Sequence, residues 1–260
     1  MAGWNRWVAR TVSEGVASGR RLVGHRPGLR ILLYHAVGSR LAHDPYGISL
    51  RVEQFTQQVA LLSAYALVSL AETVPPPASP GALRVAVTFD DGYKDTLHTA
   101  APLLVKAGIP LTVFVTSSFI QRRSAEYLDP EELKTLAALP GVTIGSHGAT
   151  HAPLAECGEP TVRRELEESR AYLEDLLRRP VTAMAYPHGS VNRRVREAAH
   201  RAGYRLGVCS RGDINQVDRD PLLLCRTEVV AADSRHVFLQ KLHGAWDWTR
   251  WRRRDPALVA

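Results

Sequence analysis

The stretch Val85-Ala86-Val87-Thr88-Phe89-Asp90-Asp91-Gly92-Tyr93 decides how the chain is read. Its apolar part is short, rich in β-branched and aromatic residues, and bounded by turn signals, the pattern of a buried strand and not of a helix. Asp90 and Asp91 follow at the C-terminal end of that strand, the edge on which parallel α/β folds build their sites. Two adjacent carboxylates push one pKa upward unless a cation holds them. An isolated Asp-Asp-Gly also suits a solvated turn, so the decision rests on what surrounds it.

Outward from there, strand and helix alternate. Upstream, residues 29–34 predict a buried strand that exits into His35-Ala36-Val37-Gly38, followed by an amphipathic helix over 52–65 and a short strand over 67–70. Pro75, Pro76, Pro77 and Pro80 then impose a loop. Downstream, a helix over 94–106 leads to a strand over 111–115. Asp129-Pro130-Glu131-Glu132 opens the next helix with a cap, a first-turn proline and acids against the dipole. Strands over 142–144, 181–186, 204–209 and 222–230 alternate with helices over 161–179 and 193–201, and a last helix begins at Ser234. Seven or eight such units in 260 residues predict an α/β fold, a distorted (β/α)7-8 barrel in a single domain. The expected division is a basic N-terminal segment over 1–28, the barrel over 29–232 and a basic, Trp-rich C-terminal helix over 233–260.

The formal net charge of +7 is concentrated at the two ends, in Arg6, Arg10, Arg20, Arg21 and Arg26 and in Arg250, Arg252, Arg253 and Arg254. Trp4 and Trp7 accompany the first group, and Trp246, Trp248 and Trp251 the second. Such a pairing suits peripheral docking on an anionic membrane, or tryptophans that pack a terminal helix onto the core. A nucleic-acid binder would carry its basic stripe across the whole domain, so no nucleic acid is expected. No apolar run approaches the ~20 residues that cross a bilayer. The N-terminus lacks the continuous apolar core of a secretory signal, and Cys157, Cys209 and Cys225 are odd in number and widely spaced. The expected location is the cytoplasm or the inner membrane surface.

His147 and His151 are four residues apart, which on a helical turn puts both imidazoles on one side, in reach of a single metal. They follow one strand exit and Asp91 follows another, and in a barrel those exits converge on one rim. Two histidines and a carboxylate leave an open coordination position, the pattern of a hydrolytic metal centre. Zinc is the expected divalent metal, with cobalt and nickel also compatible with this donor set.

Thr88-Phe89-Asp90-Asp91-Gly92-Tyr93 together with His147-Gly148-Ala149-Thr150-His151 resembles the first two motifs of the polysaccharide deacetylases, carbohydrate esterase family four. The likeness runs from about residue 29 to 230. It implies a metal-dependent hydrolase that removes N-acetyl or O-acetyl groups from a glycan, with Asp90 as general base and Asp91, His147 and His151 as ligands. The family's third motif carries an arginine, a proline and a tyrosine. Here Tyr186 and Pro187 lie in the matching stretch, with Ala185 in place of the arginine and His188 in place of the tyrosine, whose backbone contacts the oxyanion. Arg226, beside a late strand exit, is the candidate substitute for the arginine. The late Leu-x-His motif that supplies the family's acid is missing from 222–226. Leu33-Tyr34-His35 is similar to the early Tyr-His of the permuted branch containing poly-N-acetylglucosamine deacetylases, which implies His35 as the acid. Tyr93 is expected to line the sugar site. The departures in the third motif leave open a catalytically impaired, carbohydrate-binding relative of the same fold. An N-acetylglucosamine-containing glycan or its precursor is the expected partner.

Overall fold

The computed structural model of the chain describes residues 11–16, 27–73, 82–252 and 255–256. Its strands are β1 (Gly28–Tyr34), β2 (Ala36–Val37), β3 (Ser49–Leu50), β4 (Ala66–Leu67), β5 (Leu83–Phe89), β6 (Leu111–Val115), β7 (Val142–Ser146), β8 (Ala183–Ala185), β9 (Leu206–Val208) and β10 (Thr227–Glu228). The main sheet runs β10-β1-β5-β6-β7-β8-β9, with β4 beside the start of β5 and with β2 and β3 forming a separate ribbon. Every strand pair is parallel, as crossover helices require.

Both faces of the curled sheet are covered. Val85, Val87 and Phe89 of β5 join the larger core between sheet and helices, with Leu32, Val113 and Leu104. Ala86 belongs to a second core inside the curl with Ile31, Phe114, Ala185 and Val208. Strand periodicity therefore sends Ala86, Thr88 and Asp90 inward, and Asp90 emerges where the lumen opens. Residues 224–228 close the ring. Leu224 bridges Val208 of β9, and Thr227 and Glu228 pair with Leu32 and Leu33 of β1. The result is an α/β distorted barrel in one domain.

Several expected elements differ in extent. The helix expected over 94–106 passes through a π-helical turn, Thr96–Ala100, before becoming α-helical again over Ala101–Lys106. The strand expected over 67–70 ends at Leu67, and Leu70–Thr73 is a 3-10 turn. The strand expected over 222–230 shrinks to Thr227–Glu228, because the Asn215 side chain takes over the backbone of Cys225: its Oδ1 accepts from Cys225 N–H at 2.7 Å and its Nδ2 donates to Cys225 C=O at 2.9 Å. The short β2 and β3 and the helix Ser117–Arg122 lack a periodic signature and are additions to the sequence reading.

The C-terminal part is a helix, Arg235–Leu242, followed by a 3-10 stretch, Asp247–Arg252, instead of one continuous helix. Trp246 and Trp248 are half-buried and their indole N–H groups donate to Gln240 Oε1 and Ser13 Oγ, each at 3.0 Å. Trp4, Trp7, the arginines at 6, 10, 20, 21, 26, 253 and 254, and the proline loop lie outside the described residues, as do the side chains of Arg250, Trp251 and Arg252. Among the described residues, no helix is long and apolar enough to cross a membrane.

Candidate metal and hydrolytic centre

Asp90 ends the inward register of β5 and is buried, 2% exposed. Arg226, itself 1% exposed, reaches it with a two-pronged grip: NH1 to Oδ1 and NH2 to Oδ2, both 2.6 Å. The guanidinium is held in turn by Cys209 C=O, which accepts from Nε at 3.1 Å, and by Thr88 Oγ1 at 3.3 Å, with the Phe114 ring beneath it. Burial alone would raise the Asp90 carboxyl, but the Arg226 and His147 charges outweigh it and lower the pKa.

Asp91, His147 and His151 stand together, their ligand atoms all within 4.8 Å of one another. His147 Nδ1 lies 2.8 Å from Ala185 C=O, an acceptor only, so Nδ1 carries the proton and Nε2 presents its lone pair. That lone pair faces two carboxylates, at 3.6 Å from Asp90 Oδ2 and 3.5 Å from Asp91 Oδ1. His151 Nε2 lies 3.3 Å from the same Asp91 oxygen, which is buried without a hydrogen bond of adequate geometry. Converging lone pairs on a buried oxygen and a carbonyl-anchored histidine are what a divalent cation needs, so these residues fit a metal. Burial pushes His147 down to about 4 in spite of the neighbouring carboxylates. His151 is raised, since the Asp91 carboxylate outweighs its desolvation. Burial would raise Asp91 too, but the surrounding imidazoles of His151, His35 and His147 hold it far below the usual carboxylate range.

The two histidines do not share a helical turn, as their spacing suggested. Residues 147–151 form an irregular loop with Gly148 at φ +77° and His151 at φ +67°. Asp91 (φ 71°) and His188 (φ 58°) are also left-handed, so three of the five such non-glycine residues described here surround this centre. That backbone is strained, and strain of this kind collects where the fold over-determines a site. Gly92 (φ +82°) permits the turn after Asp91, since a Cβ there would meet Val115 Cγ1 at 2.9 Å.

The other expected residues divide. His35 follows β1 half-buried, near enough to Asp90 and Asp91 for its charge to lower both, and its Nδ1 is buried without a hydrogen-bond partner among the described residues. His188 lies against His151, ring centroids 4.3 Å apart. Pro187 backs Gly148, where an added Cβ would meet Pro187 Cγ at 3.4 Å. Tyr93 is nearly buried and stacks on Tyr127 at 5.0 Å. Tyr186 turns into the core instead of toward solvent: it is fully buried and its hydroxyl donates to Leu222 C=O at 2.9 Å.

Two acids outside the motifs hold the loops. Glu165, 1% exposed, accepts from Thr150 N–H at 2.8 Å and Thr150 Oγ1–H at 2.5 Å, fixing the turn between the histidines. Asp95 Oδ2 accepts from Val37 N–H at 2.9 Å and Ser39 N–H at 3.2 Å, fixing the chain after His35. Glu165 is one acid among several on a charged helix, and nothing in its local sequence distinguishes it. Asp95 follows the Asp-Asp-Gly stretch closely, a position that could have marked it.

A family model described as polysaccharide deacetylase matches residues 78–207, half of the chain. The match includes Asp90, Asp91, His147, His151 and His188, and excludes His35 and Arg226. YxkH of Bacillus subtilis (strain 168), named as a polysaccharide deacetylase, is 28% identical over 217 residues, 81% of this chain and 74% of that protein. The Streptococcus pyogenes deacetylase PplD in complex with acetate superposes with a TM-score of 0.73 at 24% identity, over 84% of this chain and 99% of that one. IcaB from Ammonifex degensii gives 0.69 at 23% identity, over 85% and 98%. These structures share the fold, and the family model matched over half of the chain establishes that it belongs to the polysaccharide deacetylase family, whose activity is the hydrolytic deacetylation of carbohydrates.

Proposed function

We propose that this protein is a metal-dependent hydrolase that removes acetyl groups, N-linked in the first instance, from an N-acetylglucosamine-containing glycan or its precursor. The observation that carries this reading is the division of labour between adjacent carboxylates: Asp90 is gripped by Arg226 while Asp91 turns to His147 and His151. The grip of Arg226 keeps ionised a carboxylate that stands beside the candidate ligands and is not one of them, which supports a role for Asp90 in proton transfer.

Asp91, His147 and His151 would hold a divalent cation, most simply Zn2+, which when bound would supply Lewis-acid polarisation and lower the pKa of water toward ~7. Asp90, kept ionised by Arg226, accepts the proton of the attacking water as general base. The acetamide carbonyl carbon becomes tetrahedral, and the backbone N–H of His188 donates toward the developing oxyanion. His35 gives a proton to the leaving amine as the C–N bond breaks, and acetate and the free amine are the products. Arg226 works as a positioning residue in place of an arginine at position 185, where Ala185 serves through its carbonyl alone.

Acetate release from a panel of N-acetylglucosamine oligomers by zinc-reconstituted protein tests this reading, with Asp90→Asn and His35→Ala alongside. Loss of release in both variants at full metal content is the expected result. Metal binding with no release from any acetylated glycan would leave a carbohydrate-binding relative of the fold.

A further inference from the structure

Cys209 and Cys225 are separate in sequence and side by side in the barrel wall. Val208 and Leu224 form a parallel bridge, with Leu224 N–H on Gly207 C=O at 2.9 Å and Cys209 N–H on Leu224 C=O at 2.8 Å. Val208 and Leu224 both face the core inside the curl. One residue further along each chain the side chains turn to the opposite face, and Cys209 and Cys225 both join the core between sheet and helices. Neighbouring strands stand ~4.8 Å apart, inside the roughly 4.4–6.8 Å that separates the Cα atoms of a disulfide. The thiols are in contact: Cys225 donates a hydrogen bond to the Cys209 sulfur.

The surroundings are cationic. Arg211 NH1 lies 3.9 Å from Cys225 Sγ, and Asp255 meets that guanidinium at 3.0 Å while gripping Arg219 with both oxygens, at 2.8 and 3.1 Å. Arg211, Arg219 and Asp255 are each partly exposed, so a single layer of side chains separates the buried thiols from water. The hydrogen bond from Cys225 lowers the Cys209 thiol against its burial, helped by the Arg211 N–H and the charges of Arg219 and Arg226. An electropositive surround and a lowered pKa distinguish a reactive cysteine from a packing one. The same two segments mount the guanidinium that grips Asp90. Cys209 C=O accepts from Arg226 Nε at 3.1 Å, and Cys225 immediately precedes Arg226 in the chain.

We infer that Cys209 and Cys225 are an oxidation site, a dithiol that hydrogen peroxide converts to a disulfide locking the mount of Arg226. Cys209 gives up its proton and its sulfur attacks one peroxide oxygen. The O–O bond breaks, Cys209 becomes a sulfenic acid, and the departing hydroxide takes the released proton and leaves as water. The Cys225 sulfur then attacks the Cys209 sulfur. The S–S bond forms as the S–OH bond breaks, and the hydroxyl leaves with the Cys225 proton as a second water. Two thiols lose two electrons to one peroxide, and a thiol reductant returns them. Peroxide is small enough to pass between the side chains of the covering layer. With residues 209 and 225 joined covalently, Arg226 keeps both of its anchors in the oxidised protein.

The test uses the full chain carrying Cys157→Ser, so that the half-buried third thiol adds no signal. The folded protein is reduced, freed of reductant and given one equivalent of hydrogen peroxide. Thiols are then counted after denaturation, and peptides are mapped by mass spectrometry. The expected result is loss of both thiols and a peptide pair joining Cys209 to Cys225, two hydrogens lighter than its parts. Tm should rise by roughly 5–10 °C, as closing the loop over 210–224 implies. Dithiothreitol should restore both thiols and abolish the rise. Cys209→Ala and Cys225→Ala should each show no dithiothreitol-reversible rise. The decisive readings come from the chain with both thiols, so they stand even where a single variant folds poorly. Survival of both thiols in excess peroxide would overturn the inference, as would a disulfide that forms only after unfolding or only between two copies of the chain. No reading here depends on hydrolysis, so the deacetylase reading and this one stand or fall separately.

Discussion

Arg226 grips both oxygens of Asp90 at 2.6 Å across 136 residues of chain, with neither side chain more than 3% exposed. A fork of this kind fixes the carboxylate plane, which a lysine ammonium cannot do. Arg226→Lys should therefore keep the fold while lowering kcat by about tenfold or more. Arg226→Met strands a buried carboxylate and should cost about 3–5 kcal/mol of stability. Acetate-release kinetics and denaturant melts read the two effects separately. Adding Ala185→Arg to Arg226→Met should recover part of the stability, because the new guanidinium would enter the same lumen.

The Asp91, His147 and His151 cluster predicts stabilisation by metal. At a hundredfold excess over Kd, one bound ion is worth about 2.7 kcal/mol, or on the order of 5–10 °C in Tm for a chain of this size. Zinc added to chelator-stripped protein should produce that rise in the parent and none in His147→Ala. An equal rise in both would place the metal elsewhere.

Glu165 supports the loop of His147 and His151 through Thr150. Glu165→Ala should weaken zinc binding by about 10–100-fold, the usual cost of losing a support behind a ligand, as read by competition with a chromophoric chelator. Glu165→Gln keeps one acceptor for the Thr150 N–H and should fall between parent and alanine.

Arg30 and Asp247 form a second buried fork, at 2.9 Å for both contacts, with Thr227 Oγ1 and Leu242 C=O accepting two more of the guanidinium protons. It ties the segment after the last helix to β1. Asp247→Ala should destabilise by about 3–5 kcal/mol, and the apolar pair Arg30→Met with Asp247→Leu by less, since no charge is then left buried alone. Urea melts of the two decide it.

Much of the fold was legible because β1, β5 and β6 are short, mostly apolar runs rich in β-branched and aromatic residues, bounded by turn signals. Residues 222–230 misled for a physical reason: Asn215, a side chain remote in sequence, takes hydrogen bonds that a neighbouring strand would otherwise hold. The candidate ligands Asp91, His147 and His151 could be read from position at strand ends, but their mutual distances depend on left-handed backbone at Asp91, Gly148 and His151 that no side-chain pattern announces. Arg226 was visible as an arginine near a strand exit, and its partner was not. Glu165 comes from a helix whose local sequence is ordinary, and only the assembled barrel gives it meaning.

The barrel closes through residues 224–228, where a single bridge to Val208 and two paired residues on β1 complete the ring. So short a seam has few paired residues, and short pairings open more readily than long ladders. Opening it carries Arg226 away from Asp90 while β5 and β7 still hold Asp91, His147 and His151 in place. On warming, hydrolysis should therefore fade before the protein melts or sheds its metal, and amide exchange at Leu224 and Val229 should quicken in step with that fading. Heat inactivation in this chain is then the unfastening of one short strand, reversible on cooling as long as the rest of the barrel stays shut.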